Sequence, residues 1–319
     1  MKKIVCFGEV LWDVFPTHRK IGGAPLNVAL RLKAFNNDVS IITRIGKDAE
    51  GDGIFEYIKE NGVAVNTIQI DTDLKTGEVD VKLNEKGSAT YTINYPRAWD
   101  RIQLNKDLRL LTEKADAFIY GSLSARDYNT KETLFALLKI APYKIFDVNL
   151  RAPYYTQELL GSLMKEADFI KFNDDEIIEI VTHMIMKAAD FNKYNVDEID
   201  NMIYNLNLET KSIEGSIKFI AKHTNTESIC VTLGAKGAIL YTNETFYYNK
   251  GYQIEVKDTV GAGDSFLAAL TDKLLKGHAP QDAIDFACAV GAIVAGSDGA
   301  NPKLEQSKID EFINESINC

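Results

Sequence analysis

The stretch Lys2–Gly46, KKIVCFGEVLWDVFPTHRKIGGAPLNVALRLKAFNNDVSIITRIG, sets the fold class. KKIVCFG (2–8) reads as a short buried strand ending in glycine. IGGAPLNVALRLKAF (21–35) opens with glycines and continues at helical spacing through Val28, Leu32 and Phe35. VSIITRIG (39–46) is a second buried strand, and GDGIFEYIKENGV (51–63) is a helix closed by Gly62. Strand, helix, strand, helix implies parallel pairing through right-handed crossovers.

The pattern then changes. TGEVDVKLNEKGSATYTINY (76–95) alternates apolar and polar residues on both sides of NEKG, the signature of a hairpin with one wet face. These residues read as a small β-layer standing off the main sheet, joined by EVLWDVF (9–15). The lid so defined comes from about 9–18 and 68–100. The α/β rhythm resumes with ADAFIYGSL (115–123), a helix over 130–140, KIFDVNLR (144–151), another helix, and ADFIKFN (167–173). A polar segment, 183–212, follows, with spacing through Ile199, Met202, Ile203 and Leu206 that allows one helix. ESICVTLGAKGAILY (227–241) gives two strands around a glycine-rich turn, and helices follow at 264–276 and 280–296. With no internal repeat or linker, the expectation is one α/β domain over 1–319, a doubly wound, mostly parallel sheet with a small β-sheet lid.

Composition bounds the function. The chain has 319 residues, 45% of them hydrophobic, and a formal charge of −10. A duplex nucleic-acid binder needs a phosphate-neutralising face, and no basic stripe is present, so no nucleic-acid partner is expected. The apolar run at the N-terminus is broken by Glu9. No segment approaches the roughly 18 apolar residues of a membrane span, so no membrane partner is expected and the compartment reads as cytoplasmic. Cys6, Cys230, Cys288 and Cys319 lie far apart and fit small hydrophobes in a reducing compartment.

The chemistry lies in the loops. In DTVGAGDSF (258–266) the glycines Gly261 and Gly263 flank Ala262 at a helix start, where unpaired N–H groups attract an anion. Asp264 in the same turn would repel a phosphate. It makes sense as a carboxylate that accepts a proton from an attacking hydroxyl; a plain N-cap with a glycine turn is the alternative. The helix N-terminus should lower its pKa and leave it a weak base. In IGGAPLN (21–27), Gly22 and Gly23 allow close approach to the backbone. Asn27 offers a donor and an acceptor there, and Asp13 could accept from sugar hydroxyls. FNDDE (172–176) sets Asn173 and Glu176 at a strand's C-terminal edge, where they could hold Mg²⁺ through water; helix capping explains the same cluster. VTLGAKG (231–237) places Gly234 and Gly237 after a buried strand with Lys236 near any phosphates, or forms a plain hairpin turn. No G-x-x-x-x-G-K-[ST], G-x-G-x-x-G or G-x-S-x-G occurs, which argues against P-loop enzymes, dinucleotide dehydrogenases and hydrolases of those patterns. The histidines His18, His183, His223 and His278 never fall at metal-ligand spacing.

GGAPLNVA and DTVGAGDSF, in this order, resemble the two signatures of the ribokinase-like (PfkB) sugar kinases, from Gly8 to about Gly299. The resemblance implies ATP as co-substrate and Asp264 as base, with the N–H groups of Gly261, Ala262 and Gly263 as anion hole. It implies Asp13, Gly22, Gly23 and Asn27 at the sugar, and Asn173 and Glu176 organising Mg²⁺ and phosphates. Thr232, Gly234, Lys236 and Gly237 would lie along the nucleotide. Asp258, the carbonyl of Val260 and the loop at Gly299 resemble a monovalent-cation site, which implies K⁺. DVNLR, with Arg151 facing the sugar or its incoming phosphate, is most similar to fructokinases. The implied activity is phosphorylation of a ketohexose, fructose to fructose 6-phosphate. Another acceptor (ribose, 2-keto-3-deoxygluconate or a nucleoside) and a non-catalytic sensor are the alternatives. Asn94 stands where fructokinases often carry a lid arginine, with Arg97 displaced. Cys288 stands where relatives have an adenine-facing asparagine, and 183–213 is longer than usual. The first departure bears on the sugar; the others leave the chemistry untouched. The exposed edge of the β-layer fits pairing with a second copy as a homodimer.

Overall fold

The computed structural model describes residues 1–83, 89–188 and 212–317. Its main element is a nine-stranded sheet. The spatial order is β5 (Ile68–Asp71), β4 (Asp38–Gly46), β1 (Lys3–Phe7), β8 (Ala117–Gly121), β9 (Lys144–Asp147), β10 (Phe169–Asn173), β11 (Ser228–Thr232), β12 (Ala238–Thr242) and β13 (Thr245–Asn249). All pairs from β5 to β11 are parallel, and β12 and β13 close one edge as antiparallel hairpins.

The strands read as unbroken apolar runs because both faces are covered. Successive side chains of a strand point to opposite faces. Ile4 and Cys6 accordingly enter one core, with Ala117 and Ile119 beside them. Val5 and Phe7 enter the other, beside Phe118 and Tyr120. The first core is roofed by α1 (Ala24–Ala34), α2 (Ala49–Glu60), α8 (Ala262–Leu275), α9 (Pro280–Ala295) and α10 (Gln306–Ile317). The second is roofed by α3 (Lys106–Glu113), α4 (Tyr128–Leu138), α5 (Gln157–Glu166), α6 (Asp174–Ala188) and α7 (Ile213–Thr224).

Side-chain caps fix where most of these helices begin. Asp48, Asn105, Asp127, Thr156 and Ser212 each accept a hydrogen bond from an N–H of the first turn that follows. Helices α1, α8 and α9 have no such side-chain cap, and the N-caps of α1 and α8 are glycines, Gly23 and Gly261. After β1 the chain builds β4 and β5 on one side, then returns through β8 on the other. The order therefore switches between β1 and β8, where open α/β sheets leave a crevice outside the strand ends.

The lid is a four-stranded sheet in the order β3 (Arg19–Gly22), β2 (Leu11–Val14), β6 (Gly77–Leu83), β7 (Ala89–Ile93). Its inner face is a small core of Leu11, Val79 and Val81 with Phe15 and Ile93. Two expectations are corrected. Ile68–Asp71 belongs to the large sheet, paired from Thr43↔Ile68 to Gly46↔Asp71, and not to the lid. It forms the outer edge of that sheet, where Ile70 is 49% exposed and Asp71 is buried. Of the two glycines expected to open a helix, Gly22 ends the lid strand paired antiparallel with β2, while Gly23 is the N-cap of α1 as expected. The NEKG turn and the helix expected through Ile199–Leu206 lie outside the described residues.

The lid's root is tied to the body by a buried ion pair. Arg126 donates through Nε to Asp100 Oδ1 at 2.7 Å and through Nη2 to Oδ2 at 2.8 Å. Its guanidinium lies 3.9 Å from the Trp99 ring centroid, and its Nη2 also reaches the carbonyl of Asn94 at 2.8 Å. Asp100 Oδ2 accepts in addition from the Arg97 N–H at 2.8 Å. Lys20 of β3 reaches Asp258 at 3.6 Å, and the Tyr154 hydroxyl donates to the Ile93 carbonyl at 2.6 Å. Among the described residues no helix is long and apolar enough to cross a membrane.

Removing one partner of such a pair strands a charge in the interior. Asp100→Ala should lower unfolding free energy by about 3–5 kcal/mol in urea denaturation, whereas Arg126→Met with Asp100→Leu should recover most of that loss. Equal losses in the single and double variants would contradict this account.

Candidate functional site

Helices α1 and α8 lie side by side, and polar contacts fix their relative position. Arg31, 2% exposed, donates through Nε to Ser265 Oγ at 3.1 Å and through Nη1 to the Pro302 carbonyl at 3.0 Å. Asn37 Nδ2 donates to Asp272 Oδ1 at 2.6 Å. Closer to the open ends, Asn27 Nδ2 donates to Asp264 Oδ2 at 2.8 Å. Asn301 Nδ2 in turn donates to Asn27 Oδ1 at 2.9 Å, which fixes the orientation of the Asn27 amide. One Asn27 amide hydrogen is left over for a further acceptor.

Asp264 sits in the first turn of α8 but is not its N-cap; Gly261 is. Gly261 adopts φ 76°, and a Cβ there would lie 2.5 Å from the Ala300 side chain. Its glycine is thus demanded by the close approach of the 300 loop. At Gly263 an added Cβ would meet only Lys171 Nζ at 3.5 Å, an ordinary contact, so this glycine leaves space that the fold does not fill. The Ala262 N–H turns back to the Thr259 carbonyl at 3.3 Å. At the other helix, Gly23 has φ 112°, and a Cβ would press on the Glu9 carbonyl at 2.6 Å.

Behind these helix ends lies a buried charge cluster. Lys171, in the middle of β10, donates to Asp147 Oδ1 at 2.9 Å, with both side chains largely buried. Burial opposes its charge, but Asp147, Glu176 and Asp264 outweigh burial and hold Lys171 above the ordinary lysine range. Burial pushes Asp264 up to about 6 and the charge of Asp147 adds to this, while the Asn27 hydrogen bond, Lys171 and Arg151 oppose it. The expectation of a lowered pKa is therefore overturned. The helix end favours the anion, but loss of hydration and a neighbouring carboxylate outweigh it.

Other acidic groups show the same effect. Burial raises Asp13 to about 6 against Lys20 and Arg151. It raises Glu9, 4% exposed, to about 7, and the charge of Asp264 adds to the effect. Asn173 and Glu176 form a reciprocal capping box: the Asn173 N–H donates to Glu176 Oε2 and the Glu176 N–H to Asn173 Oδ1, both at 2.8 Å. Glu176 Oε1 accepts from the Leu150 N–H at 2.9 Å. Each Glu176 oxygen is thus already held by a backbone N–H. Among the described residues no group of three or more His, Cys, Asp or Glu is arranged to hold a metal ion.

A cleft of about 410 Å³ opens beside the first turn of α8. Its walls include Asn173, Thr232, Gly234, Gly237, Ala262 and Gly263. Lys236, next to Gly237, is exposed and is not part of that wall. Ala262 and Gly263 face this cleft, whereas the Asp264 carboxylate reaches across to α1. The first turn therefore stands between a large cleft and the lid-side space bounded by Asn27 and Gly23. Asp258 Oδ1 accepts from the Val260 N–H at 3.0 Å, and its other oxygen meets Lys20. Gly299 lies in the loop leading to Ala300, which packs on Gly261.

The structure adds residues that sequence reasoning did not single out. Lys171 carried a signal, a lysine inside the apolar run FIKFN. Glu9 carried another, a carboxylate straight after a buried strand. Asn301 and Arg126 carried none, because their partners are remote in sequence.

The family model described as pfkB family carbohydrate kinase matches residues 1–307. The chain belongs to that family. It is 28% identical to the probable fructokinase-5 of Arabidopsis thaliana, over 94% of each chain. A fructokinase double mutant from Vibrio cholerae O395, in a fructose-, ADP- and potassium-bound form, superposes with a TM-score of 0.79 at 22% identity, covering 98% of each chain. Aminoimidazole riboside kinase from Salmonella enterica, complexed with aminoimidazole riboside and an ATP analogue, gives a TM-score of 0.75 at 21% identity, covering 98% of this chain and 99% of that one. The fold is the one these kinases share, and the chain is a carbohydrate kinase by family.

Lys171→Met in this kinase removes the only cation bonded to the buried Asp147 among the described residues. The variant should lose about 3–5 kcal/mol of unfolding free energy. A denaturation midpoint equal to wild type would show that the pair is not what holds the cluster together.

Proposed function

We propose that this kinase transfers the γ-phosphoryl group of ATP to a primary hydroxyl of a ketohexose, converting fructose to fructose 6-phosphate. The observation that carries the reading is the Asp264 carboxylate, bonded to Asn27 and raised to about 6 at the end of an uncapped helix. At neutral pH such a group is mostly ionised, yet more basic than an ordinary carboxylate. Those are the properties a general base needs. The acceptor would lie between lid and body, contacted by Asp13, Gly22, Gly23 and Asn27, with Arg151 facing its reacting end.

In the proposed mechanism, the acceptor hydroxyl is positioned against Asp264, whose free Oδ1 takes the proton as the oxygen attacks phosphorus. Asn301 holds Asn27, and Asn27 holds Asp264, so the base needs little reorganisation. The N–H groups of Gly261 and Gly263, and that of Ala262 once released from Thr259, would accept the charge on the transferred group. Nucleotide would occupy the large cleft along Thr232, Gly234 and Gly237. Mg²⁺ would spread phosphate charge, its water shell met by Glu176 and Asn173. A monovalent cation such as K⁺ at Asp258, Val260 and Gly299 would steady the loop before Gly261; Lys20 already supplies one positive charge there. The free lid edges, β3 and β7, are where a second copy would pair.

Fructokinase names among the relatives support fructose, and the aminoimidazole riboside complex of a similar fold supports a second reading, a riboside acceptor. The test is ADP release with Mg²⁺ and K⁺ against fructose, ribose, glucose, 2-keto-3-deoxygluconate and adenosine. Release with fructose, reduced by about 10²–10⁴ in Asp264→Asn with nucleotide binding retained, is the expected outcome. Comparable turnover by Asp264→Asn would remove the base assignment, and preference for another acceptor would remove fructose.

A further inference from the structure

The far half of the large cleft bears on which nucleotides the enzyme accepts, an inference that rests on the kinase reading above. At the α8 end the cleft is polar, with Asn173, Thr232 and Thr259 near Gly263. Away from it the side chains on the wall include Tyr252, Ile254, Phe266, Cys288, Ala292 and Ala295. Phe266 is 4% exposed and Cys288 7%. The polar side-chain atoms in this half are taken or weak. Tyr252 directs its hydroxyl to the Asp285 carbonyl at 3.3 Å. Burial pushes the Cys288 thiol up, keeping it neutral, and a thiol is a poor hydrogen-bonding partner. Cys288, Ala292 and Ala295 belong to α9, where intrahelical bonds occupy the backbone N–H groups. Gln253 is exposed at the mouth, where water competes for its amide.

Adenine, guanine and hypoxanthine offer similar flat faces and differ at the edge, in the donors and acceptors around the six-membered ring. A site rejects the wrong edge strongly only when a buried polar group of its own would be left unpaired. Apolar walls discriminate by at most about 10²-fold. Here no buried side chain on that wall would be left unpaired. We infer that the donor site grips the face of a purine without reading its edge, so that the enzyme takes GTP and ITP alongside ATP.

The test has two arms. Calorimetric dissociation constants are measured for the β,γ-imido analogues of ATP and GTP on the full chain, and kcat/KM is measured for ATP, GTP and ITP with the best acceptor. The GTP analogue should bind within tenfold of the ATP analogue, and the three kcat/KM values should agree within tenfold. A GTP analogue bound more than tenfold more weakly, or not at all, overturns the inference even if ATP supports rapid turnover. Equal binding of both analogues without phosphoryl transfer to any acceptor supports the inference, and counts against the catalytic reading instead.

Discussion

The ammonium of Lys171 is the interaction on which the site depends. It lies in the interior of β10, bonded to Asp147, and its charge acts on Glu176 and Asp264 as well. Burying several carboxylates at the end of one sheet would be prohibitive without it. Its position is set by the parallel register, which puts Lys171 beside Asp147 across β9 and β10. The lysine also approaches the backbone of α8 where Gly263 has no side chain. Strand register, helix start and carboxylate ionisation are thus bound into one arrangement.

The helix pair α1 and α8 carries that arrangement to the surface. Their contacts grade from a structural end, Asn37 with Asp272, through Arg31 with Ser265, to a chemical end, Asn27 with Asp264. Both helices begin at glycines and lack side-chain caps. The lid closes the other side and is anchored independently, by Arg126 and Asp100 at its root and Lys20 at Asp258. A kinase must exclude water and hold a base still, and in the proposed mechanism separate parts of the chain would do each.

The sheet was legible because buried strands and amphipathic helices leave periodic marks, and the crossovers then follow. The lid hairpin was legible from its alternation, but the place of Ile68–Asp71 was not, since only its pairing with β4 assigns it to the large sheet. Asp264, Gly261 and Gly263 stood out as a local motif. What the glycines do was not legible: the need at Gly261 comes from Ala300, nearly forty residues on. The direction of the Asp264 shift was misread for a related reason. The helix end is written in the local sequence, whereas the burial and the charge of Asp147 that outweigh it exist only after folding. Asn173 and Glu176 answered to both of their readings at the local level, and the structure realises the capping one directly.

The central claim is that a carboxylate at position 264, raised to about 6 and steadied by Asn27, accepts the proton. It is tested most directly by kcat/KM against pH for wild type and Asn27→Ala. The base must be ionised to act, so kcat/KM should level off above about pH 7 and fall tenfold per unit below about pH 6. Asn27 stabilises the ionised form, so its loss should move that limb to higher pH. A limb that stays in place in the variant would belong to another titration, such as that of the nucleotide, and would contradict the account.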